Sequence, residues 1–329
     1  MPKQWSTKNL TIIDAPTNDK TGIGQFEFTD DYSVFHYSKM PDKIPGKGES
    51  LARMSAFTLD LLNKNGIKTH FIKFLSPKTI EIRLVRLLYP QHNEINQNER
   101  NYLIPLQVVC RNMLPCGSSV YRRLDKGNLT LKEIGLKKLP RSDEFLEKPI
   151  IEFTTKLEEI DRFVTHEEAR ELAQLTTKQF EQLKSLALLV NTIVSQHAKS
   201  IDLVNADSKI ELAIDDAGEM MVVDTAGTTD ENRFLYNGIH VTKQVMRDYY
   251  LKSDLENDIQ QWVAQKKPRS TWPTPFNLPV EFIPVISNLY ASMCERWIGQ
   301  SIFGAPDLDN VVMNMQKVKL VKTDKIAVV

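Results

Sequence analysis

The sequence predicts an α+β protein, and three observations support that fold class. Residues 1–45 combine alternating strand patterns with turn residues. Residues 176–199 repeat apolar side chains at helical spacing, and residues 208–224 read as a β-hairpin. At 329 residues, the chain is long enough for one large domain or two modest ones.

The first predicted strand follows a turn that contains glycines and a lysine. Asp19–Phe28 joins this turn to an alternating strand, with Lys20 close to Gly22 and Gly24. Backbone amides at glycines, with a lysine as a point charge, can contact phosphate groups. The same pattern is more often an ordinary hairpin turn, so both interpretations stay open.

A second lysine precedes the first predicted helix. Gly46-Lys47-Gly48 opens a segment in which Leu51, Met54, Leu61 and Leu62 recur at helical spacing, and Gly66 is a natural stop. An anion at the helix N-terminus could meet Lys47. The alternative is a loop whose glycines simply give it flexibility.

The middle of the chain is predicted to hold several strands and a candidate phosphate site. Strands are expected at 69–72, 81–88 and 104–111, with an exposed loop over 91–101. Arg111 ends an apolar strand and is followed by Gly117-Ser118-Ser119. A guanidinium fork beside hydroxyls and free amides suits a phosphate.

The C-terminal half is predicted to be mainly helical. Capping boxes at Thr165 and Thr176 predict two helices, and further helices are expected over 241–262 and 280–298. Residues 305–329 are expected to form a surface tail ending in an apolar strand. The aromatic stretch 272–282 suggests either a homodimer interface or a proline-rich loop packed on its own domain.

The hairpin over 208–224 carries charge where two strands meet. Glu211 lies on the first arm, on the same face as Lys209, and Asp224 ends the return arm. Two carboxylates close together repel each other unless a positive charge sits between them, and Mg²⁺ prefers such carboxylates with phosphate oxygens. The alternative is a solvated hairpin face. Asp230 and Arg233 follow in a polar turn, where an arginine suits a planar anionic group.

Composition excludes several classes of function. Lys+Arg and Asp+Glu both number 42, so net charge gives no reason to expect nucleic acid or an anionic membrane. Apolar runs are too short for a membrane span, and the N-terminus lacks the apolar core of a secretory signal. Three cysteines without metal-ligand spacing favour a reduced, cytoplasmic protein.

Taken together, these motifs resemble the SAICAR synthetase family (phosphoribosylaminoimidazole-succinocarboxamide synthases). The family's alternating aspartate, lysine and glutamate, its return-arm aspartate and its arginine turn match Asp207, Lys209, Glu211, Asp224 and Arg233 in order. Weaker matches, which together extend over about residues 15–300, are Asp30-Asp31 with Phe35, Gly46-Lys47-Gly48, Ile104–Ser118, Thr155-Lys156 and Lys243–Asp248.

The sequence also departs from the family pattern. Leu212-Ala213 replaces Phe-Gly, and Thr225 replaces a glutamate after the return-arm aspartate. The arginine turn reads Thr229–Arg233 instead of Pro-Asp-Ser-Ser-Arg, and Asp19–Gly22 stands in for the N-terminal Gly-Lys loop. These changes leave the adenine and phosphate contacts less defined than the metal pair.

The resemblance implies a two-lobed fold and an ATP-dependent reaction. A small antiparallel N-terminal lobe (1–102) would stand over a larger mixed α/β lobe with C-terminal helices (103–329), in outline like nucleotide-grasping ligases and kinases. ATP and Mg²⁺ would activate carboxyaminoimidazole ribonucleotide (CAIR) as an acyl phosphate, which L-aspartate then attacks. Two alternatives are a related ligase with another amine or carboxylate, and a non-catalytic nucleotide-binding homologue.

The resemblance also implies roles for individual residues. Glu211 and Asp224 would hold Mg²⁺, and Lys20 and Lys47 would contact ATP phosphates. Lys209 would have a catalytic role and stabilise the acyl phosphate or the substrate carboxylate. Asp207 and Asp230 would also be catalytic, either by hydrogen-bonding the substrate or by orienting the amine. Substrate binding falls to Arg111, Ser118 and Arg233.

Overall fold

The computed structural model describes residues 3–4, 7–34, 37, 39–96, 98–158 and 160–321. Twelve strands are present in this part of the chain: β1 (Lys3–Gln4), β2 (Lys8–Asp14), β3 (Gly22–Phe28), β4 (Phe71–Ser76), β5 (Thr79–Leu84), β6 (Tyr102–Met113), β7 (Phe145–Thr155), β8 (Phe163–Val164), β9 (Val204–Ile214), β10 (Met220–Val223), β11 (Asn232–Tyr236) and β12 (Ile239–His240). The same residues form eight α-helices: α1 (Lys47–Lys64), α2 (Ser119–Asp125), α3 (His166–Leu172), α4 (Thr177–Ser200), α5 (Gln244–Tyr250), α6 (Leu255–Ala264), α7 (Phe282–Ile298) and α8 (Leu308–Lys317).

The N-terminal lobe is an antiparallel sheet of five strands in the order β1-β2-β3-β5-β4. Phe26 and Phe28 alternate with polar residues along β3 and are buried, which is the pattern expected of a strand with one face on the core. Helix α1 packs against β3, β4 and β5. It ends at Lys64, with Asn65 as its C-cap, and Gly66 follows with a left-handed φ of 79°.

The larger lobe is built on a sheet of seven strands in the order β12-β11-β9-β6-β7-β8, with β10 paired to β9. Helix α4 packs on β6 and β9, and its capping box at Thr176 and Gln179 confirms the sequence prediction. This arrangement confirms the two-lobed α+β fold. Strand β6 begins at Tyr102, but the division at 102/103 stays a prediction because α1 also packs against α7 and α4.

The C-terminal helices differ from the sequence prediction in two places. The single helix expected over 241–262 is interrupted by a turn over residues 251–254, which separates α5 from α6. The expected surface tail contains α8, whose buried Leu308, Val311 and Met315 lie on the side that packs on α7. The predicted final strand lies in 322–329, outside the described residues. Phe35, which belonged to one of the family motifs, is also outside the described residues.

Two further expectations concern surfaces. Trp272 packs against Tyr37 and Trp262 of its own chain, with ring centroids 5.7 Å away in both cases. This contact favours the proline-rich loop over the dimer interface, and dimerisation stays a prediction. None of the helices in the described ranges is long and apolar enough to cross a membrane.

Candidate active site

A cavity of about 750 Å³ is open between the two lobes. Its walls come from β6, β7, β9, α2 and α5 of the larger lobe, with Thr7 and Ser33 from the N-terminal lobe. The lining includes seven basic residues (Arg111, Arg122, Lys156, Lys209, Arg233, Lys243 and Arg247) and five acidic residues (Asp125, Asp161, Asp207, Asp230 and Glu231). In a chain with no net charge, this local excess of cations suits an anionic ligand.

At one side of the cavity the structure brings Glu211 and Asp224 into one cluster with three lysines. The Nζ of Lys156 donates to Glu211 Oε1 at 2.6 Å, and Lys8 of β2 pairs with Asp224. Burial disfavours the charged form of Asp224, but Lys8, Lys156 and Lys209 outweigh it and hold the pKa of this carboxyl well below its usual range. The predicted repulsion between the two carboxylates is therefore offset by lysines of the chain itself.

The backbone at Asp224 explains how its side chain joins this cluster. Val223 is paired with Glu211 across β9 and β10, so strict alternation would turn Asp224 to the opposite face of the sheet from Glu211. Strand β10 ends at Val223, and Asp224 has a left-handed φ of 63°. This conformation is uncommon outside glycine, asparagine and aspartate, and it breaks the alternation at the residue where the charge is needed.

Lys209 lies between two glutamates at the cavity wall. Its Nζ is 2.9 Å from Glu231 Oε2 and 3.7 Å from Glu211 Oε1. Burial opposes its charge, but these glutamates and Asp224 raise the pKa of the ammonium group. Lys209 is thus a permanent cation at physiological pH, as a residue that stabilises an acyl phosphate must be.

The predicted phosphate cradle contains a buried network of arginines and carboxylates. Arg111 Nε donates to Glu152 Oε2 at 2.6 Å, and its Nη1 donates to Asp207 Oδ2 at 2.9 Å. Arg233 Nη1 donates to the same Asp207 oxygen at 2.6 Å, and its Nε donates to Gln244 Oε1 at 3.0 Å. Asp207 therefore orients both guanidinium groups, and its predicted contact with the substrate or the amine stays a prediction.

Ser118 has a local role beside this network. It is the N-cap of α2, where its hydroxyl accepts from the Val120 amide. The next hydroxyl, Ser119 Oγ, accepts from Arg111 Nη2 at 3.2 Å. Gly117 has a φ of 81° and turns the chain into the helix, and all three residues line the cavity.

Asp230 and Lys47 form a second buried charge cluster. Lys47 Nζ is 2.9 Å from Asp230 Oδ2, and Tyr290 donates to Asp230 Oδ1 at 2.6 Å. Burial disfavours the Asp230 carboxylate, but Lys47, Lys243 and Tyr290 lower its pKa well below the usual range. Lys47 is 0% exposed and is not part of the cavity wall. The structure thus gives Lys47 a buried carboxylate partner, and its contact with an ATP phosphate stays a prediction.

Lys20, predicted to contact ATP phosphates, is not among the residues that line the cavity. It sits in the turn between β2 and β3, is largely exposed, and pairs with Asp14 at 2.5 Å. Asp14 ends β2 and Lys8 begins it, so the two residues are about 20 Å apart at about 3.3 Å per residue. Asp14 holds Lys20, and Asp216 accepts from the Thr21 amide of the same turn at 2.9 Å. These contacts fit an ordinary hairpin turn, and a contact of Lys20 with an ATP phosphate stays a prediction.

Two residues of the site were missed from the sequence. Lys8 pairs with Asp224, and the only available signal was a lysine that opens a strand. His70 Nε2 lies 2.9 Å from the Asp224 carbonyl oxygen, and burial lowers the pKa of this imidazole to about 4. Neither contact follows from sequence spacing, because the partners are separated by 216 and 154 positions.

The donor set at Glu211 and Asp224 fits a magnesium ion that arrives with a nucleotide. Among the described residues there is no group of three or more His, Cys, Asp or Glu side chains suited to hold a metal by themselves. Mg²⁺ typically takes one or two carboxylates and completes its shell with phosphate oxygens and water. A pair of carboxylates surrounded by lysines is compatible with that mode.

The fold and this site define a class: a two-lobed enzyme whose cleft pairs carboxylates with lysines beside an arginine-rich pocket, as an ATP-dependent ligase acting on a phosphorylated substrate requires. The SAICAR synthetase family model matches residues 16–267. A putative phosphoribosylaminoimidazole-succinocarboxamide synthase of Archaeoglobus fulgidus is 36% identical over 95% of this chain and 99% of that protein. The enzyme of that name from Thermoplasma volcanium is 33% identical over 84% of this chain and 92% of its own length. The chain belongs to the SAICAR synthetase family.

Solved structures agree on the fold. A SAICAR synthetase in complex with ADP superimposes with a TM-score of 0.64 at 21% identity, covering 92% of this chain and 99% of that one. The Saccharomyces cerevisiae SAICAR synthase complexed with SAICAR gives a TM-score of 0.64 at 19% identity, covering 92% and 95%. The resemblance seen in the sequence motifs is confirmed.

Proposed function

We propose that this protein is an ATP-dependent ligase of purine biosynthesis that joins L-aspartate to CAIR, giving SAICAR, ADP and phosphate. Its membership of the SAICAR synthetase family supports this reaction. The observation in the structure that carries it is the cluster of Glu211 and Asp224 with Lys8, Lys156 and Lys209 at the edge of a cationic cavity.

The chemistry explains why these residue types meet. A carboxylate is a poor electrophile at neutral pH, and conversion to an acyl phosphate supplies a leaving group. The transferring phosphoryl group carries negative charge, which lysines fixed before the substrate arrives can stabilise without reorganisation. Glu211 and Asp224 would hold Mg²⁺, which would neutralise further charge on the nucleotide phosphates.

The ribonucleotide is assigned to the arginine end of the cavity. Arg233 lines the cavity, and its guanidinium group is fixed by Asp207 and Gln244. Arg111 is buried beneath it, where Glu152 and Asp207 raise the pKa of its guanidinium group against the effect of burial. Arg233 would contact the phosphate or carboxylate of CAIR directly. Arg111 and Ser118 would shape the Gly117–Ser119 loop beside it.

The test is to measure ADP release by the purified protein with Mg·ATP, CAIR and L-aspartate, and then with each substrate omitted in turn. The proposal predicts turnover that requires all three. ADP release that depends on CAIR but shows no preference for aspartate would assign a different amine. Absence of turnover with every amine, despite ATP binding, would overturn the proposal.

A further inference from the structure

Lys243 is a cavity residue that the reaction outlined above does not use. It immediately precedes α5, and its side chain is buried in the cavity wall where the two lobes meet. Its Nζ donates to Ser33 Oγ of the N-terminal lobe at 2.8 Å and lies 3.8 Å from Asp230 Oδ2. The side-chain nitrogen of Lys243 is thus oriented by the Ser33 hydroxyl at the cavity surface.

The charges around Lys243 come from each element packed against it. Asp230 and Glu231 approach from the loop before β11, Lys47 from α1 and Arg247 from α5, while Tyr290 of α7 is held on Asp230. Asp230 is already paired with Lys47 at 2.9 Å, which is closer than its distance to Lys243. Burial, with the two neighbouring cations, lowers the pKa of Lys243 to about 8 despite Asp230 and Glu231. About a tenth of the molecules would carry the neutral amine at pH 7.

The carboxylates of the cavity are poor alternatives as bases. Asp207 accepts from both Arg111 and Arg233, and Asp230 is held by Lys47 and Tyr290. Glu231 is paired with Lys209 at 2.9 Å. Asp125 and Asp161, the remaining acidic residues of the lining, are exposed. General-base catalysis works best when the base has a pKa near the operating pH, and Lys243 meets this condition.

We propose that Lys243 is the general base that deprotonates the ammonium group of the amine substrate; this inference rests on the proposed function. Neutral Lys243 Nζ takes one proton, and the freed nitrogen lone pair attacks the acyl carbon. A C–N bond forms and the C–O bond to the phosphoryl group breaks. The second proton leaves with the departing phosphate as HPO₄²⁻, and protonated Lys243 releases its proton to water in the open cavity.

Two substitutions separate a base from a fixed positive charge. Lys243→Met removes both properties, whereas Lys243→Arg keeps the charge but cannot be deprotonated. The matched control is Lys252→Met, an exposed lysine just beyond α5. Each variant is assayed in the full chain with Mg·ATP and CAIR, with either L-aspartate or hydroxylamine as the amine. Hydroxylamine is neutral at pH 7, so it needs no base before attack.

We expect both Lys243 variants to lose about 100-fold or more in kcat/KM for aspartate at pH 7.5. Hydroxylamine-dependent hydroxamate formation is expected to stay within a few fold of wild type, as is every activity of Lys252→Met. The wild-type acid limb in kcat/KM for aspartate, with a pKa near 8, should disappear in both Lys243 variants.

Three results would overturn the inference: aspartate activity retained by Lys243→Arg, an unchanged acid limb, or an equal loss with hydroxylamine and aspartate. A wild-type protein that releases no ADP with Mg·ATP, CAIR and either amine would instead contradict the proposed function. The two failures are therefore distinguishable.

Discussion

Replacing Asp230 by Asn should destabilise the protein strongly, because this carboxylate is the buried partner of Lys47. The Lys47 side chain is 0% exposed and lies 2.9 Å from Asp230 Oδ2. Removing one member of such a pair leaves an uncompensated buried charge, at a cost of about 3–5 kcal/mol. Unfolding entropy scales with chain length, so 329 residues correspond to about 0.7 kcal/mol/K. The expected fall in Tm is about 4–7 °C.

The assay is thermal unfolding followed by circular dichroism at pH 7, with two companion variants. Asp60→Asn removes an exposed i,i+4 partner of Lys64 on the same helix, and we expect a loss below about 1 kcal/mol. Lys47→Met combined with Asp230→Asn removes both charges and should recover much of the lost stability. A Tm for Asp230→Asn equal to that of Asp60→Asn would refute the electrostatic account of this cluster.

Three further predictions concern the active site. Glu211→Gln should lower ATP turnover by about 1000-fold or more while the far-ultraviolet circular dichroism spectrum is retained, because the phosphoryl-transfer site loses a carboxylate and not its fold; normal turnover would contradict the assignment. Arg233→Lys should raise KM for CAIR about tenfold or more in steady-state kinetics, because an ammonium cannot reproduce the guanidinium fork; an unchanged KM would remove this residue from the binding site. Burial lowers the folded-state pKa of His70 from 6.5 to about 4. Between these two values the unfolded chain binds a proton that the folded protein does not. The free energy of unfolding therefore falls as the pH drops through this window, by about 3 kcal/mol over the whole window. Urea unfolding at pH 7 and pH 4.5 should therefore show a smaller difference in His70→Gln than in wild type or in the exposed-site control His92→Gln, and equal differences would contradict this.

The sequence was sufficient to predict most elements that depend on local patterns. The capping box at Thr176 predicted where α4 begins, and the helix expected to end at residue 298 does end there, where Gly299 is the C-cap of α7 with a left-handed φ of 69°. Both signals work through backbone hydrogen bonds within a few residues, so no tertiary information is needed. The turn over 251–254 was missed because the apolar periodicity continues across it from α5 into α6.

The site was partly predictable for a different reason. The hairpin over 208–224 and the turn to Arg233 keep their functional residues close in sequence, so the order of these residues could be recognised from the sequence. The contact of Lys8 with Asp224 could not be predicted in this way, because it depends on how the two lobes meet. Charge alone also does not predict where a lysine lies. Lys20 and Lys47 follow similar glycine-containing patterns, but one is exposed and the other is fully buried against a carboxylate.

The left-handed backbone conformation of Asp224 could not be predicted from the sequence either. Alternation along β10 predicts a side chain on the far face, and the observed φ of 63° reverses that outcome. The sequence was therefore right that Glu211 and Asp224 come together, but the reason lies in a local departure from strand geometry. Such departures are held by surrounding packing and occur disproportionately at functional sites.

The assigned reaction is measured as ADP release with Mg·ATP, CAIR and L-aspartate, each omitted in turn. The account predicts turnover with all three substrates and a collapse to background when any one is left out. Turnover that proceeds at full rate without CAIR, or no turnover from a folded protein that binds ATP, would contradict it.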